Sequence, residues 1–358
     1  MKNLIRMPSF LSLLLIATLL VGGNQLYAKD SEGKIKRISG SYSVGADHLL
    51  SISNQFGDVE ISHWDKDEVK VEIEILVDYK NEKKGQEQLD KIKIKIVENE
   101  KQLSIKTQFA NNDDASISKN EKIEVNYTIK MPANIELELK NKFGDIILDR
   151  MTAKSVIELQ FGSAKIGRLE SMENDLSFKF SDPVIIDQFG GGEIVAKFSK
   201  LELGSCVKLQ LNSEMTTTNV GDIGDSRVKV SHGGFKAKRV KGLQLKSSMS
   251  SIHIDRLEKG GNMELSYGKL IIGELSKEFD GLEINSKFGP VEIGIEEGSK
   301  LKLDAKNSMA DLQLPSGYKV VKDSDVGNNK SFLGAIGGDG SSLPILKVNN
   351  SFGSTKIK

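Results

Sequence analysis

Lys140–Leu148 reads KNKFGDIIL, and variants of it recur as SNQFGDVEI at 53–61, NSKFGPVEI at 285–293 and NNSFGSTKI at 349–357. Aligned on the large apolar residue before the glycine or its replacement, the series runs Phe143, Phe161, Phe180, Phe198, Met215, Phe235, Met249, Tyr267, Phe288 and Met309, and resumes at Phe352. Most successive members lie 17 to 21 residues apart. A repeat of that length is one structural unit that buries its apolar face only by stacking on its neighbours.

The local pattern says what the unit is. Leu137, Leu139 and Phe143 fall on odd positions, whereas Ile146 and Leu148 after the glycine fall on even ones; Leu282, Ile284 and Phe288 give way to Val291 and Ile293 in the same manner. Alternation of period two makes strands with one buried face. A change of parity at glycine makes a corner, because an extra residue must be absorbed to keep the same face inside. Two short strands and a corner per repeat predict an all-β fold, a parallel β-solenoid whose coils stack about 4.8 Å apart. A chain of antiparallel hairpins would also alternate, but it gives no reason for a constant aromatic-glycine corner. At that corner glycine serves positive φ or close backbone approach, and the aromatics are expected to stack as a ladder inside. Asn141, Ser213, Ser247, Ser286, Asn307 and Asn350, two residues earlier, are expected to satisfy corner backbone groups.

The flanks depart from this period. Lys2 and Arg6, a twelve-residue apolar run (Phe10–Val21) and the small Ala28 make residues 1–28 a signal peptide. The run is too short for the roughly 20 residues that span a bilayer, so the chain is not expected to span a membrane after cleavage. Residues 29–136 read as an N-terminal antiparallel β meander that caps the first coil and hides its edge, with a helical turn or two at Lys83–Lys91. Residues 137–314 hold the solenoid coils, 315–344 read as a Gly/Ser-rich loop or irregular coil, and 345–358 as a terminal strand whose lysines blunt the last edge.

The chain has 50 basic and 50 acidic side chains; residues 1–28 hold two of the basic ones, so cleavage leaves 48 against 50. Such a balance offers no pull towards nucleic acid or anionic lipid. The single cysteine, Cys206, excludes an internal disulfide and reads as a small packing residue.

The segments SNQFGDVEISHWDKDEVKVEIEI (Ser53–Ile75) and YTIKMPANIELELKNKFGDIIL (Tyr127–Leu148), with the FG corners that follow, resemble the bacterial putative-adhesin family, exported β-solenoid envelope proteins whose domain has no known function. The likeness covers most of 45–358. It implies a right-handed β-helix located in the periplasm, on the outer surface or in the medium, without cofactor or catalysis. It supplies no site residues.

Chemistry on such a scaffold would need carboxylates on neighbouring coils. Asp145 and Asp182, two rungs or about 9.6 Å apart, approach the separation used by inverting glycosidases, but aspartate after glycine is also an ordinary turn residue. His48, His63, His232 and His253 lack ligand spacing. GGDGSSLPI (Gly337–Ile345) resembles one calcium-binding nonapeptide but occurs once, with Ser342 at an aspartate position. No catalytic, metal or cofactor residue is therefore assigned. Two functions remain: a noncatalytic exported envelope protein, an adhesin or a binding or structural scaffold, whose solenoid faces bind a surface polymer or an envelope protein or serve as a spacer, and, as the alternative, a carbohydrate-active lyase or glycosidase. Outward aromatics beside carboxylates would favour the second.

Overall fold

The structure is a computed structural model, and it describes residues 33–79, 81–110, 122–317, 319–338 and 342–358. The expected signal segment 1–28 lies outside the described residues. From the N-terminus come β1 (Lys34–Ser43), β2 (Leu49–Gln55), β3 (Val59–His63), β4 (Glu68–Asp78), α1 (Glu82–Lys91), β5 (Ile92–Glu98), β6 (Gln102–Phe109) and β7 (Lys122–Met131). β8 (Glu136–Lys142) and β9 (Ile146–Met151) flank the Phe143 corner; β10 (Ser155–Leu169), β11 (Asn174–Lys197), β12 (Lys200–Glu214), β13 (Thr217–Ser231), β14 (Gly234–Ser248) and β15 (Ser251–Ser266) run on through later corners. The remainder is β16 (Lys269–Leu275), β17 (Gly281–Lys287), β18 (Val291–Ile295), β19 (Leu301–Ser308), β20 (Leu312–Gln313), β21 (Lys319–Val326), β22 (Asn329–Ile336), β23 (Ile345–Ser351) and β24 (Thr355–Ile357).

The fold is a parallel β-solenoid. Each coil lies in register on the last, so Ile157 pairs with Leu139 behind it and Leu176 ahead. Further along, Leu211, Val228, Leu245, Met263, Ile284 and Val348 form one unbroken inward column. All six are almost fully buried. Fully burying one such side chain contributes on the order of 2 kcal/mol, so the core is a set of such columns, each residue supported by its counterpart in the next coil.

Three expectations about organisation need correction. The N-terminal region does contain antiparallel pairs, β1 with β4, β4 with β7 and β5 with β6. Yet β2 and β3 run parallel to β8 and β9, and β6 and β7 run parallel to β2 and β3. Coils therefore begin well before residue 137, with the earlier segment inserted between two later ones. At the other end, the segment 315–344, expected as a loop or irregular coil, holds a hairpin in which β22 pairs antiparallel with both β19 and β21. Finally, β23 and β24 do not close the stack: β23 lies between β17 and β19, and β24 between β18 and β20. Every coil carries the same inward pattern, so the pattern alone accepts any stacking order; the pairing of free edges decides it. The helical turn expected at 83–91 is α1, whose N-cap Asn81 accepts the backbone N–H of Lys84.

Candidate functional site

The repeated corner is built by two residues with different tasks. The aromatic or its replacement, not the glycine, takes the left-handed conformation: twelve non-glycine residues from Phe56 to Phe352 have φ between 46° and 63°. Such a residue costs on the order of 1 kcal/mol or more. The glycine that follows is needed for close approach: a Cβ on Gly144 would collide with the carbonyl oxygen of Gly57, and one on Gly289 with that of Gly268, well inside the 3.0 Å that real Cβ atoms keep. Where glycine is replaced, a small hydroxyl bridges the coils instead, Ser199 Oγ accepting from the Ser181 N–H at 3.1 Å and Thr216 Oγ1 from the Ser199 N–H at 3.2 Å.

Left-handed geometry turns the corner side chain outwards, and this overturns the expected inner ladder. Phe143, Phe161, Phe180, Phe198, Tyr267, Phe288 and Phe352 are 38 to 55 % exposed. They still stack, with ring centroids 4.7 to 5.0 Å apart and planes within 9° from Phe143 to Phe198 and from Tyr267 through Phe288 to Phe352. Each ring pair contributes about 0.5 to 1.5 kcal/mol beyond its buried area, which offsets the strained backbone. The rings cover each other's faces and present only edges to water, so the ridge is a brace and no platform for a stacked ligand. The register at one coil also changes: His232 (φ 54°) is the corner, 17 residues from both Met215 and Met249, while Phe235 is 1 % exposed and belongs to the core.

The polar position two residues before the corner does what was expected at Asn141 and Asn350. Asn141 Nδ2 donates to the Gly57 carbonyl at 3.0 Å, and Asn350 Nδ2 to those of Gly289 at 3.1 Å and Gly353 at 2.8 Å. Ser213 Oγ meets Thr218 Oγ1 at 3.2 Å, whereas Ser247 and Ser286 hydroxyls are buried without a partner.

Of the two carboxylates weighed for catalysis, Asp145 acts as a stitch. Asp145 Oδ1 accepts the Ser163 N–H at 2.7 Å, as Asp58 Oδ1 accepts the Asp145 N–H at 2.8 Å. Asp182 follows Ser181 at the replaced corner three phenylalanines from Phe56. His253 faces Asp255 at 3.0 Å on the surface, and no group of three or more metal-ligating side chains occurs among the described residues. His63 is different: both ring nitrogens are buried without a partner, and burial pushes its pKa below the ordinary 6.5 despite Asp149 nearby. Burial likewise pushes the Cys206 thiol up to about 12, so it packs as an inert apolar group. Gly337–Ile345 lies partly outside the described residues.

What the sequence reading missed is the outer face of the strands that precede each corner. In register along the stack stand Glu193, Gln210, Arg227, Gln244, Asn262 and Glu283. Beside them stand Asn212, Lys229, Lys246, Glu264 and Asn285. Side chains of neighbouring coils are tied together: Asn212 Nδ2 donates to Glu193 Oε1 at 2.7 Å, Arg227 Nε to Gln244 Oε1 at 3.1 Å, and Lys246 pairs with Glu264 at 3.1 Å. Two grooves of about 790 and 570 Å³ open on this face and share Gln210, Arg227 and Gln244. The period-two alternation carried the signal, since it names the outward residues, but it cannot say which faces are hollow.

The chain matches no family profile and no curated protein sequence. Among solved structures it is similar to a putative cell adhesion protein from Clostridium sporogenes ATCC 15579, at 13 % identity and TM-score 0.21 over 91 % of this chain and 99 % of that one. It is also similar to a putative adhesin from Parabacteroides distasonis ATCC 8503, at 13 % identity and TM-score 0.27 over 74 % and 92 %. A third is a putative adhesin from Bacteroides fragilis NCTC 9343, at 10 % and 0.23 over 90 % and 97 %. Their names agree with the family that the sequence resembles; at these TM-scores they carry no argument about what this chain does.

Proposed function

We propose that the chain is an exported, noncatalytic scaffold of the adhesin kind, which holds a surface polymer or envelope protein against the outer face of its solenoid. The observation that carries this reading is the hollow face lined by polar side chains: they are cross-tied at coil spacing and so are pre-organised to bind, whereas Asp145, one of the two acids weighed for catalysis, is committed to a backbone N–H of the next coil. Pre-organised polar groups lose little entropy on binding. Among the described residues no helix is long and apolar enough to cross a membrane. Export follows from the signal layout of 1–28 and places the protein in the periplasm, on the outer surface or in the medium.

The test immobilises residues 29–358, passes polysaccharide and protein extracts of the cell envelope over them, and sizes whatever is retained. A polymer retained at unchanged length, equally by the chain with Asp145→Asn and Asp182→Asn, is the expected result. Shortened polymer whose shortening stops in that double variant would instead establish the lyase or glycosidase alternative, and no retention at all would overturn the scaffold.

A further inference from the structure

Resting on that reading, we propose that the two neighbouring grooves from β11 to β17, which share the side chains of Gln210, Arg227 and Gln244, bind a neutral, hydroxyl-rich polysaccharide strand lying along the solenoid axis. At Gly192, Gly260 and Gly261 the floor of the first groove carries no side chain. A Cβ on any of them would collide with the backbone oxygens of Asn174, Gly281 and Leu243 respectively, and these three glycines have φ of 128°, 105° and 137°. Close packing of one coil on the next thus keeps the floor bare at β11 and β15, while outward side chains of the same strands form a wall. From Glu193 to Glu283 the wall runs five rungs, roughly 24 Å, the length of several sugar rings.

Three properties select the ligand class. First, the lining holds five carboxylates and five cationic side chains. A polyanion such as a nucleic acid or a uronate chain would find as many repulsive as attractive charges. Second, the amides of Gln210, Asn212, Gln244, Asn262 and Asn285 line the grooves, those of Gln244 and Asn262 on adjacent rungs. An amide is both donor and acceptor, which is what a row of hydroxyls requires. Third, the strands behind the groove are already paired on both edges. An extended peptide therefore has no free backbone edge to add to there.

Gly281 permits a clean test, since nothing lies within 4 Å of a Cβ built there. Gly281→Leu places an apolar side chain in the first groove, and Gln244→Ala removes one wall amide. Lys165→Ala, an exposed residue on the strand after the Phe161 corner, serves as the control. Residues 29–358 and these variants, with folding checked by circular dichroism, are titrated calorimetrically with cello-, laminari-, manno- and maltohexaose, with hexagalacturonate and with chitosan hexamer. The expected result is binding of a neutral hexamer that falls at least tenfold in Gly281→Leu, falls in Gln244→Ala, survives in Lys165→Ala, and is unmoved by salt. Binding of only a charged hexamer, salt-sensitive binding, or neutral binding that survives Gly281→Leu would overturn the inference. So would the absence of binding to any hexamer; an envelope polymer retained on the column described above would then leave the scaffold reading standing by itself.

Discussion

Removing residues 345–358 should unthread the far end of the solenoid and not merely trim it. These residues form a coil that lies between β17/β18 and β19/β20. Leu346, Val348 and Ile357 are at most 2 % exposed. At about 2 kcal/mol each, their loss removes roughly 6 kcal/mol of burial. It also strips Asn307 of two partners, the Gly353 carbonyl at 3.1 Å and the Thr355 hydroxyl at 2.8 Å, at about 1 to 3 kcal/mol. That sum rivals the roughly 5 to 15 kcal/mol that holds a typical domain together. A solenoid, however, is coupled only to nearest neighbours, so the damage should stay local. Among the described residues, β19 and β20 lose the strand pairing that joins them, and with them β21 and β22, to the stack, while coils up to β18 keep theirs. Limited proteolysis of the truncated chain should cut rapidly within 296–336 and leave a resistant fragment ending near Ile295, as read by mass spectrometry. If 301–336 stays as protected as in the full chain, the intercalated order is wrong.

Two further predictions concern single residues. Gly289→Ala should lower stability by more than about 3 kcal/mol in urea, because its Cβ meets the Gly268 carbonyl oxygen, whereas Gly281→Ala, in open space, should stay within about 0.5 kcal/mol. His63 is held below its ordinary pKa of 6.5 by burial, so the unfolded chain takes up a proton that the folded chain refuses. Stability should be flat above that value and fall as pH drops through it towards the folded pKa; in His63→Leu, melting temperatures between about pH 5 and 7.5 should lose this component, and an unchanged slope would contradict the assignment.

The period and the parity change were sufficient to name the architecture. A corner with a large apolar residue, most often 17 to 21 residues after the last and with alternating strands on either side, can bury its apolar residues only by stacking in parallel. The outward polar residues were equally legible, as were the buried asparagines, because a polar residue on the inward parity must find a backbone partner. Which way the corner aromatics point was not legible. Phe143 shares the parity of Leu139, and only the left-handed backbone at the corner turns it outwards. Phe235 was mistaken for a corner for the same reason, since an inward phenylalanine and an outward one look alike when only spacing is read. Stacking order was likewise hidden: β2/β3 and β23/β24 repeat the pattern of every other coil, so local sequence is satisfied in any position, and the choice rests on long-range edge pairing. The groove too belongs to tertiary structure, for it is a space between side chains of six coils, made where backbone approach leaves room only for glycine.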